Sequence, residues 1–180
     1  MLSDRMQKAL NDQLQAEFES AYLYLSMAAY FEDHGLEGMA NWMNVQFQEE
    51  QTHALKFYRY INERGGRVEL QAIAKPKLEW TSALEAFEES LAHEKMISGR
   101  INDLAELAIG EKDHATLNML QWFIAEQVEE EASVDAIVTQ LRLVGDGGHG
   151  LFMIDREMRG RAFVDETAGG AAAAARSGSS

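Results

Sequence analysis

The chain has 180 residues, 46% of them hydrophobic, with one proline, no cysteine and a formal net charge of -14. Without cysteine there is no disulfide framework, no thiolate nucleophile and no thiolate metal site. An acidic balance of this size argues against nucleic acid as a partner and favours attraction of cations. The length suits one domain with a sizeable core. The opening Met1-Leu2-Ser3-Asp4-Arg5-Met6 lacks the basic-then-apolar layout of a secretory signal, and no apolar run approaches membrane-spanning length. The expectation is a soluble cytoplasmic protein that engages neither membrane nor nucleic acid.

Helical periodicity appears first from Ser3 or Asp4 to His34, with Gly35 placed to stop it. A second segment runs from Glu37 to Arg64 and halts at Gly65-Gly66. A third begins near Thr81 or Ser82, where Ser82-Ala83-Leu84-Glu85 matches a capping box, and ends near Gly110. A fourth spans Asp113 to Val144, and a shorter fifth is expected from Gly150 to Arg161.

Between the second and third segments lies the stretch 66–80, which holds the only proline, Pro76. A helix of about 27 residues is roughly 40 Å long, and about 15 extended residues reach roughly 50 Å. This connection can therefore run the length of a bundle and leave segments two and three parallel, while the shorter links make antiparallel neighbours. An all-α four-helix bundle with one long crossover and a short fifth helix follows. From Asp165 onward the chain becomes an alanine-, glycine- and serine-rich tail, expected to be disordered or vector-derived. The functional domain is accordingly placed at residues 1–164.

Each long segment carries an apolar seam that turns polar near its middle. The seams read Leu10, Leu14, Glu17, Ala21, Tyr24; Met43, Gln46, Glu50, His53, Phe57; Leu91, Glu94, Ser98, Ile101; and Leu120, Ile124, Gln127, Glu131, Val134, with Glu130 one step round. The intervals repeat: Glu17 precedes Glu50 by 33 positions and His53 by 36, and Glu94 precedes Gln127 by 33 and Glu130 by 36. Helices of similar length bring their middles together, so these six residues converge. Burying unpaired carboxylates costs several kcal/mol each, roughly, and no Lys or Arg occupies the same seams to offset it. Bound cations do so, and this many carboxylates with one imidazole suggest two. Oxygen donors with one imidazole suit Fe(II), Mn(II) or Zn(II).

The combination Glu17, Tyr24, Glu50-x-x-His53, Glu94 and Gln127-x-x-Glu130 resembles that of the bacterial non-haem ferritins, over residues 1 to 164. The resemblance implies a ferroxidase centre with one iron at Glu17, Glu50 and His53 and a second at Glu50, Glu94 and Glu130. Glu50 would bridge them, Gln127 would stand beside the metals, and Tyr24 would hydrogen-bond to a ligand and donate an electron. It further implies a third iron held by Glu49, Glu126 and Glu129 with Glu130, O2 or peroxide as oxidant, and a 24-chain shell storing Fe(III) oxo-hydroxide. Two departures from sibling families matter. The second copy of the motif lacks histidine, which weakens that site and suits iron in transit. Gln51 stands where bacterioferritins carry a haem-ligating Met, so no haem is expected. The rival readings are a di-iron oxygenase or peroxide reductase acting on a separate substrate, and a purely structural bundle. His93, next to Glu94, is read as a surface residue or one behind the ligands, because its side chain leaves the helix about 100° away.

Overall fold

A computed structural model describes residues 1–145, 148–165 and 167. It contains the helices α1 Asp4–Asp33, α2 Glu37–Glu63, α3 Ala83–Glu111, α4 His114–Val144 and α5 Gly148–Met158, and no strand among the described residues.

Side chains at the helix starts satisfy the first orphan amides. Ser3 Oγ accepts from Met6 N and Asp113 accepts from Thr116 N. At α3, Ser82 Oγ accepts from Glu85 N at 3.1 Å, while the Glu85 carboxylate reaches back to Thr81 N at 2.6 Å, a capping box displaced by one residue. α2 has no cap of its own, since its N-cap is Leu36. Its amides are satisfied from α5 instead: Asp155 Oδ1 accepts from Gly38 N at 2.7 Å and Met39 N at 3.0 Å. The helices cross so closely here that a Cβ on Gly38 would lie 1.6 Å from the Asp155 carbonyl oxygen. Only glycine permits that contact.

The crossover runs along α1 in the same direction as the helix. Asn11 Nδ2 donates to Arg67 O and Asn11 Oδ1 accepts from Glu69 N, Gln15 Nε2 donates to Ala72 O, and Ser26 Oγ donates to Lys77 O. The side chains of α1 thus supply the pairing that an extended strand would otherwise lack. The segment ends with buried Trp80, whose Nε1 donates to Glu89 at 2.8 Å. α3 therefore starts at the end where α2 started, giving the parallel pair that the connection length predicts. α1 packs on α2, α3 on α4, and α1 on α3, while α5 lies against α2 and α4.

The apolar core is divided. One cluster, including Tyr24, Phe31, Met43, Phe87 and Val138, fills the end near α5. The other, including Met6, Leu14, Phe57, Ile101 and Phe123, fills the opposite end. Between them lies the polar layer.

Two sequence expectations need correction. In α4 the buried face runs through Leu120, Phe123, Gln127, Glu130 and Val134, with Ile124 and Glu131 only half-buried. The apolar seam steps to Phe123 because that ring stacks on Phe57 at 4.2 Å. α5 begins and ends earlier than its pattern suggests. Its last turn opens where Asn41 Nδ2 captures both Met158 O and Arg161 O. The stretch treated as tail includes Asp165 and Thr167, which bond to each other and reach α2 through Arg59 Nη2 to Thr167 Oγ1 at 3.3 Å. The rest of that low-complexity stretch lies outside the described residues.

Candidate metal centre

Glu17 and Tyr24 come from α1, Glu50 and His53 from α2, Glu94 from α3, and Gln127 and Glu130 from α4. All are at most 6% exposed. Four carboxyl groups thus share one layer of the core with a single imidazole. The Glu50-x-x-His53 spacing puts both residues on one helix face, and His53 Nδ1 lies 3.6 Å from Glu50 Oε2, beyond hydrogen-bond length. One ligand atom from each of Glu17, Glu50 and His53 falls within 4.8 Å of the others. A second cluster of the same size joins His53, Glu126 and Glu130. Glu94 belongs to neither cluster. Its carboxylate accepts from the Tyr24 hydroxyl at Oε1 and has Gln127 Nε2 3.2 Å from Oε2.

The electrostatics follow from crowding like charges in a dry layer. Burial, and then the Glu94, Glu17 and Glu130 charges, push the Glu50 carboxyl well above its ordinary range. Burial raises Glu17 to about 7, against the lowering pull of its hydrogen bond with Gln13. Burial, then the Glu130 charge, raises Glu94 to about 8. His53 moves the other way, lowered to about 4 by burial and then by Lys56, so its ring is neutral at physiological pH and free to ligate. Its plane is fixed by edge contacts with Trp122 and Phe123 at centroid distances of 5.3 and 6.0 Å. Burial and the Glu94 charge raise Tyr24 above its usual range, so it stays a phenol and a donor.

Two buried polar atoms, Glu50 Oε2 and Gln46 Oε1, have no hydrogen-bond partner among the described residues. Both border this layer, and an unpartnered buried carboxylate oxygen is what a cation would complete. The donor set of carboxylate oxygens with one neutral imidazole fits a hard or borderline divalent ion.

The residues expected at a third site are less gathered. Glu126 joins the second cluster, whereas Glu129 is exposed. Glu49 is half-buried, and Arg161 Nη2 lies 2.6 Å from its Oε2. The Arg161 guanidinium also stacks over Trp42, 4.5 Å from the ring centroid.

The family profile of the ferritin-like domain matches residues 7–144. A bacterial non-heme ferritin of Staphylococcus aureus (strain MRSA252) is 40% identical over 166 residues, spanning 92% of this chain and 100% of that protein. Its counterpart in Staphylococcus haemolyticus is 41% identical over the same span. Among solved structures, an open-pore ferritin from the hyperthermophilic archaeon Archaeoglobus fulgidus matches with a TM-score of 0.89 and 52% identity, over 90% of this chain and 100% of that one. The chain belongs to the ferritin family.

Several residues around the centre of this ferritin escape a reading of its sequence. Gln46 Nε2 donates to Glu130 Oε2 at 2.8 Å, and Gln13 Nε2 donates to Glu17 Oε1 at 2.8 Å. Gln13 lies one helical turn before Glu17 on the same helix, and that i, i+4 spacing is the signal that would have found it; Gln46, already in the seam of α2, meets a carboxylate of another helix, which spacing does not reveal. His93, read from the sequence as either a surface residue or one behind the ligands, takes the second place: it is half-buried, with Nε2 2.7 Å from Ser20 Oγ and its ring edge-on to Tyr24 at 6.2 Å. Lys56 stands 4.1 Å from the Trp122 centroid, beside His53. Among the described residues no helix is long and apolar enough to cross a membrane.

Proposed function

We propose that this ferritin takes up Fe(II), oxidises it at the buried layer with O2 or peroxide, and stores the product as Fe(III) oxo-hydroxide inside a hollow homo-oligomeric shell of 24 chains. The observation that carries the reading is the layer itself. Four carboxyls and one neutral imidazole are shut into the middle of an apolar bundle, with the Glu50 oxygen nearest His53 lacking any hydrogen-bond partner among the described residues.

In this reading Glu17, Glu50 and His53 hold one Fe(II), and Glu50, Glu94 and Glu130 hold the other, with Gln127 alongside. The pair of irons supplies electrons to the oxidant, each Fe(II) giving up one. The protein manages protons and geometry. Glu17 and Glu94, raised to about 7 and about 8, must shed protons as Fe(II) arrives. They can take protons back when Fe(III) hydrolyses and leaves. Tyr24 holds Glu94 by a hydrogen bond and lies where it could give an electron to the layer. The site that lacks an imidazole binds more weakly, which suits a substrate passing through. Glu49, Glu126 and Glu129 with Glu130 would receive a third iron on the inner side. The domain 1–164 carries these functions.

Self-association is supported by the outer surface. Tyr22 and Leu25 on α1 are exposed, as are Leu70, Ile73 and Leu78 on the crossover that lies against it, an apolar strip suited to a second copy. The net charge of -14 would concentrate cations at the shell.

The test is aerobic Fe(II) addition to metal-free protein, following absorbance and oxygen uptake beside Glu50→Ala and His53→Ala. Fast oxidation yielding soluble iron far beyond two or three per chain, lost in both variants, is the expected result. Saturation at about two irons per chain without mineral would overturn storage and indicate a fixed di-iron cofactor.

A further inference from the structure

We propose that Arg100, which lies outside the ligand layer, acts through Gln13 as the positioning residue that aims Glu17 at its cation. This rests on the proposed assignment of Glu17 as a ligand. Arg100 stands on α3, six residues beyond Glu94. It reaches across to α1 at two points: Nε donates to Gln13 Oε1 at 2.9 Å, and Nη2 donates to the Asp12 carbonyl at 2.7 Å. Gln13, 1% exposed, passes the contact inward through Nε2 to Glu17 Oε1 at 2.8 Å.

The polarity of this chain is fixed by chemistry. A guanidinium N–H can only donate, so the Gln13 atom facing it must be the amide oxygen. The NH2 group must then face Glu17, and the amide cannot flip without setting two donors against each other. A glutamine alone could present either end to a carboxyl. With Arg100 in place it presents only a donor, which holds one Glu17 oxygen and leaves the other for the cation. The Asp12 carbonyl provides the second anchor, so the guanidinium plane is set by two acceptors on successive residues of α1.

Geometry, more than charge, is the means. Arg100 borders a solvent-open groove between α1 and α3 that is also lined by Arg5, Lys8, Asp12 and Asp103. Water and mixed charges there weaken the Arg100 charge, which still favours the ionised Glu17 but ranks below the Gln13 hydrogen bond. A lysine at this position would keep the charge and lose the paired donors.

The experiment is anaerobic Co(II) titration of metal-free protein, reading affinity and the visible ligand-field spectrum. The proteins are wild type, Gln13→Leu, Arg100→Leu, Arg100→Lys and the Gln13→Leu/Arg100→Leu double variant. Removing a partner that orients a metal ligand typically weakens binding about tenfold or more. The expected result is about a tenfold loss at the tightest Co(II) step in each single variant, Arg100→Lys included, with a common change in the spectrum. The double variant should be no worse than either single, because both cut one chain of contacts. Independent losses that multiply in the double variant would overturn the relay. Wild-type behaviour of Arg100→Lys would also overturn it, by showing that charge suffices. Should Gln13→Leu fail to fold, the half-buried Arg100 variants still decide the question. Absence of Co(II) binding at the layer in wild type would instead remove the ligand assignment on which the relay rests.

Discussion

Removing metal from this ferritin should make its stability fall as pH rises through neutrality, the reverse of ordinary acid denaturation. A carboxyl whose pKa is raised in the folded state holds its proton there after the unfolded chain has lost it. Stability then declines between the unfolded and folded values by about 1.4 kcal/mol per pH unit. Glu94, raised from 4.5 to about 8, declines across the whole interval from about pH 6 to 8. Glu17, raised to about 7, declines across half of it. Together they remove about 4 kcal/mol over that range. His53 works the other way: lowered from 6.5 to about 4, it adds stability as pH rises, but that gain is nearly complete by pH 6.5 and returns less than about 1 kcal/mol. His93, lowered likewise to about 4, returns a similar amount, while Glu50, pushed up in the same direction as Glu94, adds to the decline, so a net loss of at least about 2 kcal/mol results. Chelator-treated protein should be unfolded in urea at about pH 6 and pH 8, at one protein concentration because assembly contributes to apparent stability. The midpoint should drop at the higher pH. Saturating Zn(II), which binds the deprotonated carboxylates, should abolish the drop, and Glu94→Gln should reduce it by about 2 kcal/mol. A metal-free midpoint that is flat or rises with pH would refute the argument that the layer is held protonated by burial and mutual repulsion.

Arg161 competes with any cation for Glu49. Arg161→Ala should strengthen the weakest Zn(II)-binding step in equilibrium dialysis by about two- to fivefold, the scale of a partly exposed ion pair, and an unchanged step would show that Glu49 is not a ligand. Gly38→Ala should cost about 2 kcal/mol or more in denaturant unfolding, since its Cβ would meet the Asp155 carbonyl oxygen at 1.6 Å. A variant with wild-type stability would mean that α5 does not seat as described. Zn(II) outranks Fe(II) for oxygen and imidazole donors, so zinc should inhibit Fe(II) oxidation; undiminished oxidation with zinc at the Glu17, Glu50 and His53 site would contradict that ligand set.

The four long helices, their ends and the crossover are legible because each rests on local information. Apolar periodicity, Ser3, Ser82 and Asp113 at helix starts, and a connection long enough to span the bundle all lie within short windows of sequence. The six residues of the layer are legible for a different reason: carboxylates in apolar seams conflict with burial, and the conflict recurs at matched intervals. What escaped is what depends on packing between elements. Gln13 matters because Arg100 approaches it from another helix, and nothing in the spacing of α1 reveals that. Asp155 caps α2 from 117 residues away in sequence. His93 follows the wheel geometry of α3, but the wheel does not say that α1 covers that side with Ser20 and Tyr24. The steric demand at Gly38 is likewise silent, for a glycine near a helix start reads as an ordinary loop residue.

The divided core explains how the fold tolerates its centre. Each apolar cluster occupies one end of the bundle and contains side chains from both helical hairpins, so the ends clamp the hairpins together without help from the middle. The layer can then be arranged for binding at the expense of its own stability. Glu17 is held by Gln13, Glu94 by Tyr24 and Gln127, and Glu130 by Gln46. Each of these carboxylates has a donor in place before any cation arrives, which limits the reorganisation that binding requires. Glu50 differs. It faces the charges of Glu17, Glu94 and Glu130, and its Oε2 has no donor. It is therefore the carboxylate least able to ionise alone and the one that gains most from cations on either side. A central carboxylate with one unpartnered oxygen, among outer carboxylates held by glutamine or tyrosine donors, is the arrangement that supports the proposed bridging role.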